Sequence, residues 1–160
     1  TPQERLHQHK TGYVNKKGIE IIKPQYDEGL PFNEGYTAVK QGTKWLYLDS
    51  TGTAITEAIF EEALSCSNGL ASVAKMGHFG YINTAGKVVI PLEFSNAHPF
   101  SEGLAPAANA KGLWGYIDSK GSWVIDPVYD YTDSFVDGEA RVMKEGKLFY
   151  IDKKNNKLHD

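Results

Sequence analysis

The sequence has a single cysteine, Cys66, so no disulfide within the chain can stabilise the fold. It has no apolar run near the roughly 20 residues that a membrane-spanning helix needs. The formal net charge is −3, and without a basic excess we expect no binding to nucleic acid and no direct membrane insertion. Hydrophobic residues make up 41% of the 160 positions and charged residues 23%, which is typical of one globular domain.

The usual sequence signatures of catalysis are also missing. There is no G-x-S-x-G elbow, no P-loop and no GxGxxG motif. His7 and His9 could form a small metal-binding cluster with His78 or an acidic partner, but solvated terminal side chains are the simpler interpretation. Carboxylates are plentiful but fall at equivalent places in successive segments, which indicates acceptors in turns and loops rather than one asymmetric active site. We therefore predict no catalytic residue, no metal site, no cofactor and no enzyme activity.

What the chain does contain is an internal repeat of about 34 residues. Its most regular feature is a tyrosine, with steps of 34, 34, 35 and 34 residues, at Tyr13, Tyr47, Tyr81, Tyr116 and Tyr150. Five residues after each tyrosine comes a glycine, except in the fifth copy, where Asn155 takes that place. Agreement over many columns indicates a repeat architecture, in which units too small to bury a core alone must pack on their neighbours.

Each repeat predicts β-strands joined by tight turns. Asp or Asn two residues after the tyrosine, followed three residues later by glycine, is typical of a type I turn that closes a bulged hairpin. Short segments rich in β-branched and aromatic residues flank the turn, and we expect Pro24, Pro91 and Pro127 to end the second strand. A third strand leads into the next tyrosine strand, which gives a three-stranded antiparallel meander and a loop of about ten residues per unit. Propensity alone would also allow a helix over 54–65.

These columns, G-Y-[IV]-[DN]-x-x-G and then F-x-[DE]-G-x-A-x-V, resemble the bacterial WG repeat, also called the KWG repeat. The naming pair is complete only at Trp114–Gly115, and the other copies have Thr11–Gly12, Trp45–Leu46, Phe79–Gly80 and Leu148–Phe149. The resemblance implies an all-β repeat array without general catalytic residues. It also implies a binding role, since members often occur in surface-associated or modular proteins.

The predicted organisation is a polar segment or cap at 1–10, a WG-repeat domain at 11–155 and a tail at 156–160. The units start near residues 11, 45, 79, 114 and 148. We expect the units to stack as an open, curved array, with a small closed propeller-like ring as the alternative. Cys66 falls in a column otherwise held by phenylalanine, which favours a buried apolar role over a nucleophilic one.

Binding residues are sought where the repeat is broken, because a residue that the fold needs should recur in each unit. Trp123, Tyr131 and Tyr36 are large aromatic residues in columns that do not otherwise demand one. Such side chains dominate binding hot spots and stack on sugars, although each could instead fill a local gap or cap the array. His98 precedes a proline in a loop and has no partner at a recognisable spacing.

The function predicted from sequence is a non-catalytic module that binds a protein partner, in a bacterial envelope or toxin-neutralising setting. The alternative is carbohydrate or cell-wall binding through Trp123 and Tyr131. The resemblance favours a place outside the cytoplasm, in the periplasm or at the cell surface, and a cytoplasmic place stays open. An enzyme that uses scattered carboxylates is the third hypothesis.

Overall fold

The computed structural model describes residues 10–160, and within them the chain forms strands, turns and loops without a helix. Each pairing is antiparallel and joins strands that are consecutive in the sequence. The predicted all-β class is therefore confirmed. The helical alternative for 54–65 is wrong, because Ala54 and Phe60 bridge to the preceding tyrosine strand and Glu62–Ser67 is itself a strand.

The strands form five small sheets, numbered here along the chain. Sheet 1 contains β1 (Thr11–Val14) and β2 (Glu20–Tyr26). Sheet 2 contains β3 (Glu28–Gly29), β4 (Tyr36–Gln41) and β5 (Lys44–Asp49). Sheet 3 contains β6 (Glu62–Ser67), β7 (Leu70–Lys75), β8 (His78–Asn83) and β9 (Val88–Phe94). Sheet 4 contains β10 (Asn96–Ala97), β11 (Ala105–Ala108), β12 (Trp114–Ile117) and β13 (Trp123–Tyr129). Sheet 5 contains β14 (Tyr131–Thr132), β15 (Ala140–Lys144), β16 (Lys147–Ile151) and β17 (Lys157–His159).

The predicted three-stranded meander is present in sheets 3, 4 and 5, and there the structure adds a fourth strand to it. In sheet 4 the meander is β11–β12–β13, and the two-residue strand β10 pairs with β11 through Asn96–Ala108 and Ala97–Ala107. This short strand lies within the loop that sequence analysis predicted. Two residues are too few to give a periodic pattern, so only the pairing reveals them.

The turn after each tyrosine strand has the chemistry that its sequence predicts. The Asp118 carboxylate accepts hydrogen bonds from the N–H groups of Lys120, at 2.9 Å, and Ser122, at 3.0 Å. Gly121 follows with a φ of +84°, in the left-handed region that glycine adopts without strain. Asn155 occupies the same place in sheet 5 with a φ of +66°, as expected of the next-best residue.

The prolines do not end the outer strands, which corrects the prediction. β13 continues through Pro127 to Tyr129 by means of a bulge, because Trp114 pairs with Tyr129 and Tyr116 with Ile125, so Gly115 faces three residues. A proline is tolerated there because the bulge breaks the ladder. Pro24 in β2 and Pro91 in β9 lie within equivalent bulges.

The same bulge explains the glycine of the WG pair. A Cβ on Gly115 would lie 2.3 Å from the Ile125 carbonyl oxygen, and one on Gly80 would lie 2.4 Å from that of Ile90. Any larger residue therefore clashes with the bulged strand. Leu46 is an exception to this rule. The segment opposite Leu46 forms only isolated bridges. There the Thr56 hydroxyl accepts a hydrogen bond from the Tyr47 N–H at 3.0 Å.

The core lies between successive sheets and not within any one of them. We call the face of a sheet that packs on the next sheet its front face, and the face that packs on the previous sheet its back face. Four clusters of buried residues fill the junctions 1/2, 2/3, 3/4 and 4/5. At junction 4/5, for example, Tyr116 from the front of sheet 4 meets Phe135 with ring centroids 4.7 Å apart, and Ile151 lies in the same cluster.

Hydrogen bonds tie each unit to the following loop and to the next unit. The Tyr116 hydroxyl donates to the Asp133 carbonyl oxygen at 2.6 Å, and the Tyr47 hydroxyl donates to Leu64 in the same way at 2.6 Å. The Glu34 carboxylate accepts from the N–H of Asn68, at 2.8 Å, in the corresponding turn of the next unit. Within residues 10–160, no hydrogen bond or ion pair joins sheet 1 to sheet 5, so the stack is open.

Candidate functional site

The repeated carboxylates act as acceptors in turns, as the sequence predicts. The Asp27 carboxylate accepts from the Gly42 N–H at 2.7 Å, and that of Glu61 accepts from the Met76 N–H at 2.7 Å. The Glu102 carboxylate accepts from the Gly138 N–H at 2.9 Å. These bonds, with Lys10 as the largest influence on Asp27, hold the pKa values of all three carboxyl groups below their ordinary range. Such groups stabilise turns and do not converge on one point.

The structure distributes the three sequence-predicted binding residues over three junctions. Tyr36 packs partly buried against the cluster at junction 2/3. Trp123 packs against the cluster at junction 3/4, where its ring meets Phe94 edge-on with centroids 5.6 Å apart. Tyr131 begins sheet 5 and is 38% exposed. The three do not form one site, and Tyr131 is the most exposed of them.

Tyr131 is part of an aromatic group at junction 4/5, which we call the Tyr131 cluster: His98, Trp114 and Tyr131. The Trp114 and Tyr131 rings lie 5.4 Å apart at 60°, and the His98 and Trp114 rings lie 4.8 Å apart at 49°. The His98 and Tyr131 rings lie 6.2 Å apart. Trp114 is buried at 8% exposure, so it supports the two rings that reach the surface.

The Tyr131 cluster is confined to this junction. The corresponding residues at junction 2/3 are Leu30, Trp45 and Glu62. Those at junction 3/4 are Leu64, Phe79 and Asn96. Only junction 4/5 has an aromatic ring at all three positions. Because one ring at these positions satisfies the packing at junctions 2/3 and 3/4, the two additional rings are not required by the fold.

The backbone holds His98 firmly beside the rings. Its carbonyl oxygen accepts from the Tyr81 hydroxyl, and its N–H donates to the Pro106 carbonyl oxygen at 2.9 Å. Partial burial lowers the pKa of the imidazole, and the nearby Asp133 carboxylate opposes that shift. The ring nitrogens of His98 add polar atoms beside the Tyr131 ring. The cluster therefore presents the exposed Tyr131 ring and the partly buried His98 ring on a buried tryptophan, and binding hot spots are enriched in tyrosine and tryptophan.

Sequence analysis found no partner for His98 and gave Trp114, part of the recurring WG pair, no binding role. A signal was present, because leucine holds the position of His98 in two other units, at Leu30 and Leu64. His98 and Tyr131 each depart from the repeat in their own column. A comparison of the two columns would have shown that both departures fall at the same junction. Their contact could not be read directly, since 33 residues separate the two side chains in sequence.

The remaining candidates for chemistry are accounted for within the described part of the chain. Among residues 10–160, no group of three His, Cys, Asp or Glu side chains is arranged to hold a metal ion. His7 and His9 lie outside the described residues. Cys66 is buried, as predicted, and desolvation is the main cause that raises the pKa of its thiol, with the Glu34 carboxylate adding to it. A thiol in such surroundings is a poor nucleophile.

Comparison with known proteins identifies the family. The profile described as WG containing repeat matches residues 12–45, 79–109 and 114–147, which is more than half of the chain. The chain therefore belongs to the WG containing repeat family. That family is not known to be catalytic. The unmatched stretch between the first two matches contains Leu46 and Cys66, which depart from the repeat.

Two solved structures show a related fold at low sequence identity. A KlHsv2 variant, with loop 6CD replaced by a Gly-Ser linker, aligns with 86% of this chain at a TM-score of 0.59 and 11% identity. The extracellular domain of a B. thetaiotaomicron protein named as a one-component system aligns with 92% of the chain at a TM-score of 0.50 and 13% identity. This chain spans 53% of the first structure and 25% of the second. No curated protein matches the chain.

No helix within residues 10–160 is long and apolar enough to cross a membrane.

Proposed function

We propose that this chain is a non-catalytic binding module that recognises a protein partner through the Tyr131 cluster. The observation that supports the proposal most is the asymmetry of the junctions, since within residues 10–160 only junction 4/5 has aromatic rings at all three positions of this cluster. Tyr and Trp contribute much contact area for little loss of side-chain entropy, and hot spots are enriched in them. Membership of a family without known catalytic activity is consistent with this role.

The experiment compares capture by three forms of the chain. Wild-type chain, Tyr131→Ala and the control Val136→Ala are immobilised and exposed to extract of the source organism. Val136 is a fitting control because it is exposed and lies outside all four core clusters. The captured protein is then purified, and its affinity for each form is measured by titration calorimetry.

We expect Tyr131→Ala to weaken binding at least tenfold, which corresponds to about 1.4 kcal/mol, while Val136→Ala binds like the wild type. Equal affinities for the two variants would refute the Tyr131 cluster as the contact. Failure of the wild-type chain to capture any protein would refute the protein-binding function itself.

Carbohydrate binding is a second candidate, supported by the exposed ring of Tyr131 beside Trp114. Trp123, the other aromatic residue of that hypothesis, packs on Phe94 at a different junction. A single sugar stacked on Tyr131 would thus be unaffected by Trp123→Ala. A glycan array probed with wild type and Tyr131→Ala tests this, and the absence of Tyr131-dependent signals would dismiss it.

We further propose a location outside the cytoplasm. The support is that one structure with a related fold is an extracellular domain. Cell fractionation of the source organism with an antibody against this chain tests the location, and recovery of the chain in the cytoplasmic fraction would contradict it.

A further inference from the structure

In each of the first four repeats, the glycine of the segment that corresponds to F-x-[DE]-G follows a residue with left-handed backbone. These residues have φ between +52° and +54°, and they are Glu34, Asn68, Glu102 and Asp137. The glycine after each of them also has a positive φ. Two left-handed residues in succession are typical of a type I′ turn, for which Asn-Gly is a favoured sequence. Three of the four repeats have an acid at this position, and only the second has an amide.

The turn of the second repeat is hydrogen-bonded to the turns on both sides of it. The Glu34 carboxylate accepts hydrogen bonds from the N–H groups of Asn68, at 2.8 Å, and Gly69, at 3.0 Å. The Asn68 side-chain oxygen accepts in turn from the Gly103 N–H at 3.1 Å. The first repeat therefore holds this turn through its N–H groups, and the third repeat holds it through the Asn68 side chain.

Asn68–Gly69 is the only Asn-Gly pair in the sequence. Such a pair is especially prone to deamidation, because glycine has no side chain to hinder attack by its backbone nitrogen. In that reaction the Gly69 nitrogen loses its proton to base in solution and attacks Cγ of Asn68. A five-membered succinimide ring closes, and the side-chain amide takes a proton from solvent and leaves as ammonia. Water then opens the ring at either carbonyl carbon, which gives aspartate or isoaspartate.

The hydrogen bonds of this turn oppose the reaction. The negative charge of the Glu34 carboxylate disfavours loss of the proton from the Gly69 N–H that it binds. The bond to the Gly103 N–H holds the Asn68 side chain toward the third repeat, whereas the Gly69 N–H is directed toward the first. The attacking nitrogen and the side chain that it must reach are thus held by different neighbours. Asn68 itself is exposed, so burial does not supply the protection.

We propose that Asn68 is a deamidation site that the stack protects, and that the Glu34 carboxylate is the group that restrains the reaction. Modification then proceeds when the turn of the first repeat separates from that of the second, because this local opening frees the Gly69 N–H. The site is separate from the Tyr131 cluster, and the proposal does not depend on the binding function.

The two products of deamidation differ in their effect on the stack. Aspartate at position 68 has the type of side chain that the other three repeats carry, and its carboxylate can accept from the Gly103 N–H as Glu102 accepts from the Gly138 N–H. Isoaspartate instead routes the backbone through the side chain and lengthens the turn by one carbon atom. Ser67 pairs with Leu70 across this turn, and the longer backbone disrupts that register. Formation of isoaspartate therefore makes a temporary opening of the turn permanent.

The experiment follows deamidation by mass spectrometry of the tryptic peptide 45–75, in which Asn68 is the only amide side chain. Wild type, Glu34→Gly and the control Asp137→Gly are incubated as full chains in warm, mildly alkaline buffer. Glycine removes the carboxylate and adopts a positive φ without strain, so neither variant distorts its own turn. Asp137 is the matched control because it holds the equivalent position in the fourth repeat. Within residues 10–160 it forms no hydrogen bond with Asn68 or Gly69.

We expect Asn68 to deamidate about fivefold faster in Glu34→Gly than in the wild type, and at the wild-type rate in Asp137→Gly. The wild type unfolded in guanidinium chloride should also react faster than the folded chain. Equal rates in Glu34→Gly and the wild type, or in the folded and the unfolded wild type, would overturn the proposal. Circular dichroism checks the fold of Glu34→Gly. Should it be unfolded, Glu34→Gln, which keeps the length of the side chain and loses its charge, replaces it under the same criteria.

Discussion

At the scale of single residues, the repeat can be understood column by column. The role of Asp118 and Gly121 in the turn follows from sequence alone, because both act within five residues of each other. The glycine of the WG pair is different. Its reason is the close passage of another strand, 2.3 Å from where a Cβ of Gly115 would lie, and such a contact leaves no local trace in the sequence.

We predict that Gly115→Ala destabilises the chain by about 1–3 kcal/mol, because the added methyl group overlaps the backbone of β13. Urea denaturation followed by circular dichroism measures the change in the free energy of unfolding. Gly146→Ala is the control, since a Cβ there meets nothing within 4 Å and only the positive φ is strained, at a cost of about 1 kcal/mol. Equal costs for the two substitutions would contradict the steric explanation.

Tyr116→Phe tests the hydroxyl group that crosses each junction. Its removal leaves the Asp133 carbonyl oxygen without its donor at a partly buried position, and we expect a loss of about 1–3 kcal/mol in the free energy of unfolding. Tyr131→Phe alters an exposed tyrosine and should change stability by less than about 0.5 kcal/mol. A neutral Tyr116→Phe would show that aromatic packing alone holds the junction.

At the scale of elements, the sequence predicts strands and turns well and the pairing between units poorly. The turn residues and most strands of the meanders are local signals and were predicted correctly, but the predicted second strand after Gly52 forms only isolated bridges. The bulge around Pro127 and the short strand β10 depend on which residues face one another across the sheet. The bond from Glu34 to Asn68 joins turns 34 residues apart, and sequence periodicity shows only that both turns exist.

The carboxylates that accept hydrogen bonds in the turns make the stability of the fold depend on pH. The folded-state pKa values of Asp27, Glu61 and Glu102 are lowered, so their contribution to stability is complete above the unfolded values of about 4. It is lost as the pH falls through the lower folded-state values. We expect the melting temperature to fall between pH 5 and pH 2 by more in the wild type than in Glu102→Gln.

Melting curves followed by circular dichroism at each pH measure this response. Glu57→Gln is the matched control, because Glu57 is exposed and forms no ion pair or hydrogen bond within residues 10–160. Parallel curves for the wild type and Glu102→Gln would show that the bond to the Gly138 N–H carries no pH-dependent stability.

At the scale of the whole molecule, the core is formed between adjacent sheets. It therefore depends on which units are neighbours in the stack. Sequence analysis could predict that order, and it selected Tyr131 because departures from a repeat are visible in one chain. It could not tell that Trp123 and Tyr36 pack at other junctions, since their neighbours come from adjoining sheets.

The most direct test of the stacked architecture is amide hydrogen exchange measured by NMR across all five sheets. Sheets 2, 3 and 4 pack on both faces, whereas among residues 10–160 sheets 1 and 5 each pack on one neighbour. We predict the slowest exchange in β7, β8, β11 and β12 and the fastest in β1, β2 and β17. Equal protection of β1 and β12 would contradict an open stack whose sheets are stabilised by their neighbours.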